Sequence, residues 1–144
     1  MKIALGTDHA GYTLKERLKR LLVSLGHEPV DFGTFTEAAT DYPTWVRPAA
    51  EAVANGECER GIVLGGSGNG EAMCANRVKG VRAALCWSVE VAELARHHND
   101  ANVLSLGARL IPDELAEQIV RAWLDTPFDG GRHERRIRML DEEK

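Results

Sequence analysis

Short apolar runs alternate with amphipathic stretches along this chain, and that alternation most restricts its fold. "KIALGT", "EPVDFG", "RGIVLGG", "VRAALCW" and "ANVLSLGA" read as five strands. In "YTLKERLKRLLVSLG", Leu14, Leu18, Leu21, Leu22 and Leu25 share one helix face, and Gly26 ends it. "YPTWVRPAAEAVANGE" is Ala-rich and reads as helix from Pro43 or Pro48 onward. "EAMCANRV" is a short helix, and Ser88 is the expected N-cap of "SVEVAELARHHN". "PDELAEQIVRAWLDTP" carries Pro112 near its first turn, and "GRHERRIRMLDEEK" forms a C-terminal helix. Strands and helices alternating in this way imply a parallel sheet covered on both faces. No repeat, low-complexity segment or linker divides residues 1–144, which read as one domain. Ligands of such sheets bind at the carboxyl ends of the strands. "DHAGY", "GTFTEAATDY", "GGSGNGE" and "GAR" follow four of the strands and converge on that edge.

Charge and composition narrow the partners. A formal net charge of −4 offers no general affinity for nucleic acid or anionic membranes. The basic island "RHERRIRML" stands apart from that balance. No apolar run approaches membrane-spanning length, and Met1 leads directly into a strand-like run instead of a signal peptide. The three cysteines, Cys58, Cys74 and Cys86, form no CxxC pair and read as free thiols of a cytoplasmic protein.

Four of the six residues from Gly65 to Gly70 are glycine, and Glu71 follows at once. The loop lacks the Gly-Lys-Ser/Thr of a nucleotide-binding P-loop and does not fit GxGxxG. It has two readings. In one it is a tight strand-to-helix turn, with Glu71 as a favourable charge at a helix N-terminus. In the other its N–H groups stabilise an oxyanion that develops during reaction, while Glu71 takes a proton from carbon. Asp8-His9 is either a turn cap or a pair that binds sugar hydroxyl and phosphate oxygens. His97 and His98 are adjacent and so point apart on a helix, which argues against a shared metal. They either stabilise the helix C-terminus or supply one acid–base group. Arg132 and Arg136, four residues apart, form a solvated basic face or grip a phosphate, with Arg109 as a third candidate.

In order and spacing, "GTDHAGYTLK", "DFGT", "TDYP", "GIVLGGSGNGEAMCANR", "GVRAAL", "ARHHNDANVLSLGAR" and "GGRHERRI" resemble the ribose-5-phosphate isomerase B family, which includes galactose-6-phosphate isomerase subunits. The resemblance covers nearly the whole chain. It implies a Rossmann-like three-layer sandwich with a five-stranded parallel sheet and a C-terminal helix. It also implies interconversion of ribose 5-phosphate and ribulose 5-phosphate, and a homodimer or dimer of dimers with shared active sites. Asp8 and His9 match the sugar-binding pair, and Tyr42 a tyrosine lining the site. Gly66, Ser67, Gly68, Asn69 and Gly70 match the anion-stabilising loop. His98 matches the ring-opening acid, Asn99 a substrate contact, and Arg109, Arg132 and Arg136 phosphate ligands. Many members carry a catalytic cysteine at the start of the loop. This chain has none there, and so resembles the subset whose base is the glutamate after the last loop glycine, Glu71. Cys74 then reads as core. Other readings are isomerisation of a four- or six-carbon aldose phosphate, and a non-catalytic sugar-phosphate sensor. His98 and Asn99 precede the fifth strand and so fall at the edge opposite Glu71, which favours a two-fold dimer that exchanges them.

No metal and no cofactor is expected, because the histidines, cysteines and carboxylates show no ligand spacing. Isomerisation of ribose 5-phosphate should therefore survive exhaustive EDTA treatment. Loss of turnover that one added metal restores would overturn the expectation.

Overall fold

A computed structural model describes residues 1–142. The strands are β1 (Lys2–Thr7), β2 (Glu28–Asp31), β3 (Arg60–Gly65), β4 (Ala83–Leu85) and β5 (Val103–Gly107). The helices are α1 (Tyr12–Ser24), α2 (Tyr42–Ala54), α3 (Asn69–Asn76), α4 (Val89–Asn99), α5 (Asp113–Asp125) and α6 (Arg132–Leu140). The strands form one parallel sheet in the order β2-β1-β3-β5-β4. This is the Rossmann-like arrangement expected from the sequence. The chain leaves β1 for β2 on one side and returns to β3 on the other. A crevice therefore opens beyond the carboxyl ends of β1 and β3.

Both faces of the sheet are buried, with alternate side chains serving each. Ile3, Leu5, Ile62, Leu64, Leu104 and Leu106 pack with Leu14, Leu18 and Leu22 of α1 and Ile119 and Trp123 of α5. Ala4, Val63 and Val103 pack on the opposite face with Val46, Ala49, Ala50 and Val53 of α2 and Cys74 and Ala75 of α3. Helix α2 lies so close to β1 that a Cβ at Gly6 would stand 2.5 Å from the Trp45 carbonyl oxygen.

Several boundaries differ from the sequence expectation, among them those of α2, β4 and α6. Helix α2 starts at Tyr42 and continues through Pro48. Strand β4 is shorter than "VRAALCW", because the Asn76 side chain occupies its outer edge. That amide donates to the Ala83 carbonyl at 2.9 Å and accepts from the Ala83 N–H at 2.8 Å. Helix α6 ends at Leu140. The expected helix ran on to residue 144, and its last two residues lie outside the described ones.

Lys15, on α1, is fully buried and places its ammonium 2.7 and 2.6 Å from the two carboxylate oxygens of Asp31. Lys19 and the Gly33 N–H also donate to that carboxylate. Burial alone would push the Asp31 carboxyl up; the bonds from Lys15, Lys19 and Gly33 outweigh it and hold the group below the ordinary carboxylate range. The pair fixes the turn after β2, where the Thr34 N–H donates to the Thr7 carbonyl and the Thr7 N–H to the Gly33 carbonyl, each at 2.8 Å. The following loop is thereby held over the end of β1.

Removing one partner of a buried ion pair strands the other charge. Asp31→Ala should destabilise the fold by about 3–5 kcal/mol in chemical denaturation. Because the folded carboxyl is held low, its contribution is full above the ordinary Asp range and fades as pH falls through the folded value. The gap between wild type and Asp31→Ala should therefore narrow in acid. A gap below about 1 kcal/mol near neutral pH would mean that the pair is dispensable.

Candidate active site

The glycine loop leaves β3 pinned on several sides. The Ala108 and Arg109 N–H groups donate to the carbonyls of Gly65 and Gly66 at 2.8 and 3.1 Å. Ser105 Oγ donates to the Gly68 carbonyl at 2.7 Å. Gly68 is left-handed, at φ +83°, and a Cβ there would meet the Leu85 side chain at 2.6 Å and the Leu106 carbonyl carbon at 3.0 Å. Only glycine fits this position. Asn69 donates its N–H to Ser67 Oγ at 3.2 Å, which leaves the Ser67 hydroxyl proton free to donate elsewhere.

Glu71 lies in the first turn of α3 and is 4% exposed. Its carboxyl group occupies the space that a side chain at Gly65 would fill. Burial pushes this carboxyl up, its own N–H and that of Gly68 favour the charged form, and the nearby Asp8 charge raises it further. Burial and Asp8 prevail, so Glu71 titrates above the ordinary carboxylate range.

Around it stand the other residues of this edge. Asp8 accepts the Ala10 N–H at 2.9 Å through one carboxylate oxygen. His9 Nδ1 accepts the Thr40 N–H at 3.2 Å, which assigns its ring proton to Nε2 and makes that nitrogen a donor. The Tyr42 ring covers Gly70, where a Cβ would stand 2.7 Å from the tyrosine oxygen. The Arg109 side chain passes 3.5 Å from the Cβ position of Gly66. Asp8, His9, Tyr42, Gly66, Ser67, Gly68, Asn69, Gly70, Glu71 and Arg109 thus gather at one edge.

His98 and Asn99 do not join them. They end α4 at the amino end of β5, with the Asn99 carbonyl 3.2 Å from Arg82 Nε. The five residues of β5 put the two groups about 16 Å apart at the rise of a strand. His98, Asn99 and Arg136 line a separate cleft of about 280 Å³ with His133, Ile137 and Leu140. His97 is tied instead to Asp129, Nδ1 to Oδ1 2.7 Å. Of the two α6 arginines expected to act together, Arg136 lines this cleft and Arg132 flanks it. The α6 face on the cleft is His133, Arg136, Ile137 and Leu140, spaced i, i+3, i+4 and i+7, and exposed Arg132 falls one residue off it. His133 was missed in the sequence, although that spacing carried its signal. Its ring stacks on His98 with centroids 4.4 Å apart and planes at 15°.

Among the described residues, no group of three or more His, Cys, Asp or Glu is placed to hold a metal ion. No helix among them is long and apolar enough to cross a membrane. All three cysteines are buried, and burial pushes the Cys86 thiol up to about 12.

A buried carboxylate beside a glycine loop at the switch point of a parallel sheet stands where α/β proteins bind small polar ligands. The family model described as Ribose/Galactose Isomerase matches residues 3–140, and the chain belongs to that family. It is 44% identical over 139 residues to ribose-5-phosphate isomerase B of Escherichia coli (strain K12), covering 96% of this chain and 93% of the relative. The solved ribose-5-phosphate isomerase B of Clostridium thermocellum superposes with a TM-score of 0.97 at 46% identity, over 98% of this chain and 95% of that one. The Mycoplasma genitalium enzyme, solved with bound ribulose-5-phosphate, gives a TM-score of 0.92 at 40% identity, over 99% and 97% of the two chains.

A buried carboxyl whose pKa is raised is destabilising once ionised. Stability should fall as pH rises from the ordinary Glu range to the folded value, and the deficit should persist above it. Glu71→Gln removes the charge, so this variant should melt higher than wild type at pH 8. The difference should shrink as pH drops through the carboxylate range. Equal melting temperatures at every pH would show that Glu71 carries no burial strain.

Proposed function

We propose that this chain is a ribose-5-phosphate isomerase that interconverts ribose 5-phosphate and ribulose 5-phosphate. The observation that carries this reading is Glu71, a carboxylate kept from water beside a backbone loop at the sheet's switch point, with its pKa raised by that burial. A base of that kind suits removal of a proton from carbon next to a carbonyl. The ribulose-5-phosphate bound to the Mycoplasma genitalium relative supports the choice of sugar.

The chemistry has two stages. His98 protonates the furanose ring oxygen as its bond to C1 breaks; the C1 hydroxyl loses its proton to water, and an aldehyde forms. Glu71 then takes the C2 proton, the electron pair forms the C1–C2 double bond, and O1 becomes an oxyanion. Loop N–H groups and the Ser67 hydroxyl hold the resulting cis-enediolate. O2 passes its proton to O1, and Glu71 returns its proton to C1 to give the ketose. Asp8 and His9 bind sugar oxygens, with Tyr42 and Asn99 lining the site, while Arg109, Arg132 and Arg136 bind phosphate. The cysteines take no part. Their thiols are pushed up by burial, and Glu71 fills the space beside Gly65 that a side chain at the start of the loop would need.

His98 and Glu71 stand at opposite edges of one chain, so the proposal includes a two-fold dimer. Each copy lends His98, Asn99 and the α6 arginines to the other's loop. Glu71→Gln should lower turnover about a thousandfold, as removal of a general base does, with phosphate-dependent binding kept. Four- and six-carbon aldose phosphates serve as comparison substrates, and faster turnover of either would displace ribose 5-phosphate. Glu71→Gln chains, refolded with an equal amount of chains carrying His98→Asn and Asn99→Ala, should regain about a quarter of wild-type activity. Random pairing makes half the dimers mixed, and each mixed dimer holds one intact site of two. No recovery despite proven mixed dimers would place each site within a single chain.

A further inference from the structure

His133 has no part in the steps above, yet its ring stacks directly on that of His98. The two imidazoles lie face to face, with centroids 4.4 Å apart and planes at 15°. One ring ends α4 and the other starts α6, so the stack joins two elements that share no backbone ladder. Both rings line the cleft, but His133 is buried in its place whereas His98 is half-buried. The covered ring is thus the platform, and the open ring is the one able to reach a ligand.

We propose that His133 is a positioning residue for sugar ring opening: it fixes the plane of the His98 imidazole so that its proton-bearing nitrogen faces the furanose ring oxygen. The inference rests on the reading of His98 as the ring-opening group. A general acid works only when its proton lies on the line to the accepting atom, and a misplacement of about 1 Å can cost a hundredfold. His98 sits on the last turn of α4, whose backbone is tied by Arg96 and Asp100 while, among the described residues, the His98 ring itself has no hydrogen bond. A flat aromatic face underneath supplies the missing restraint.

The electrostatic surroundings suit that task. His133 faces His98 from α4, Arg132 and Arg136 within α6, and Asp129 from the preceding connection. Burial, with the charges of Arg132, His98 and Arg136, holds its imidazole below the ordinary histidine range against the opposing pull of Asp129. An uncharged His133 offers a neutral face and does not repel an imidazolium stacked on it.

The role separates ring opening from proton transfer at carbon. Ribulose 5-phosphate is acyclic, because its C5 oxygen is esterified and no furanose can close on the C2 ketone. Exchange of its C1 hydrogen with D2O, followed by NMR, therefore needs Glu71 but no ring opening. Isomerisation of ribose 5-phosphate needs both. His133→Ala should lower isomerisation of ribose 5-phosphate by about tenfold to a hundredfold while C1 exchange stays within about twofold of wild type. His133→Phe, which keeps a planar face, should recover isomerisation to within about threefold of wild type. Equal losses in both assays, no loss in either, or failure of phenylalanine to rescue would overturn the proposal. His98→Asn is the control for the reading beneath it. If that variant isomerises ribose 5-phosphate normally, the ring-opening assignment itself fails. If it loses isomerisation but keeps exchange while His133→Ala matches wild type, only the positioning role fails.

Discussion

A carboxylate can be kept from water at the end of β3 only if position 65 has no side chain. The Glu71 carboxyl occupies the volume that a Cβ at Gly65 would take. From that exclusion much of the local architecture follows. The loop must turn back at once, which requires the left-handed Gly68. Its carbonyls need partners because they are cut off from solvent, and Ser105 of β5 with Ala108 and Arg109 just after it supply them. The glycines serve close packing of backbone on carboxylate and backbone on backbone. Loop flexibility plays no part in the arrangement, since almost every turn of it is tied to a neighbouring strand.

The opposite edge is ordered by two arginines, Arg96 buried and Arg60 half-buried. Arg96 donates to the Thr126 and Ala101 carbonyls and to Asp100, and so closes the C-terminus of α4 onto the connection that follows α5. Arg60 donates to the carbonyls of Trp123 and Leu124 and lies over the Trp123 ring. Helix C-termini leave carbonyls without partners, and two guanidiniums satisfy several of them here.

The order of strands and helices could be read from periodicity, because each burial face repeats within a few residues. Glu71 was legible because an acidic residue directly after a run of glycines conflicts with a phosphate cradle. The separation of His98 from Glu71 followed from strand direction alone. What escaped depends on partners remote in sequence. Lys15 sits among the charged residues of an amphipathic helix, and its burial rests on Asp31, sixteen positions on. His97 and His98 are chemically identical neighbours until Asp129, thirty-two positions from His97, claims one of them. On α6, charge obscured periodicity. The arginines suggested a solvated face, whereas His133, Arg136, Ile137 and Leu140 share the side that meets α4.

The amide of Asn76 has a consequence for association. By bonding both backbone groups of Ala83, it gives β4 the contacts that another strand would otherwise bring. An open sheet edge is a template on which a second chain can extend the ladder, and proteins commonly block it with charge, proline or a bulge. Here one side chain from a helix has the same effect, at the first residue of a strand only three residues long. Any neighbour that sought to lengthen the sheet from this side would first have to displace Asn76. Copies of the chain are thereby steered to meet through helices and loops, where contact can remain finite and closed instead of propagating along a fibre.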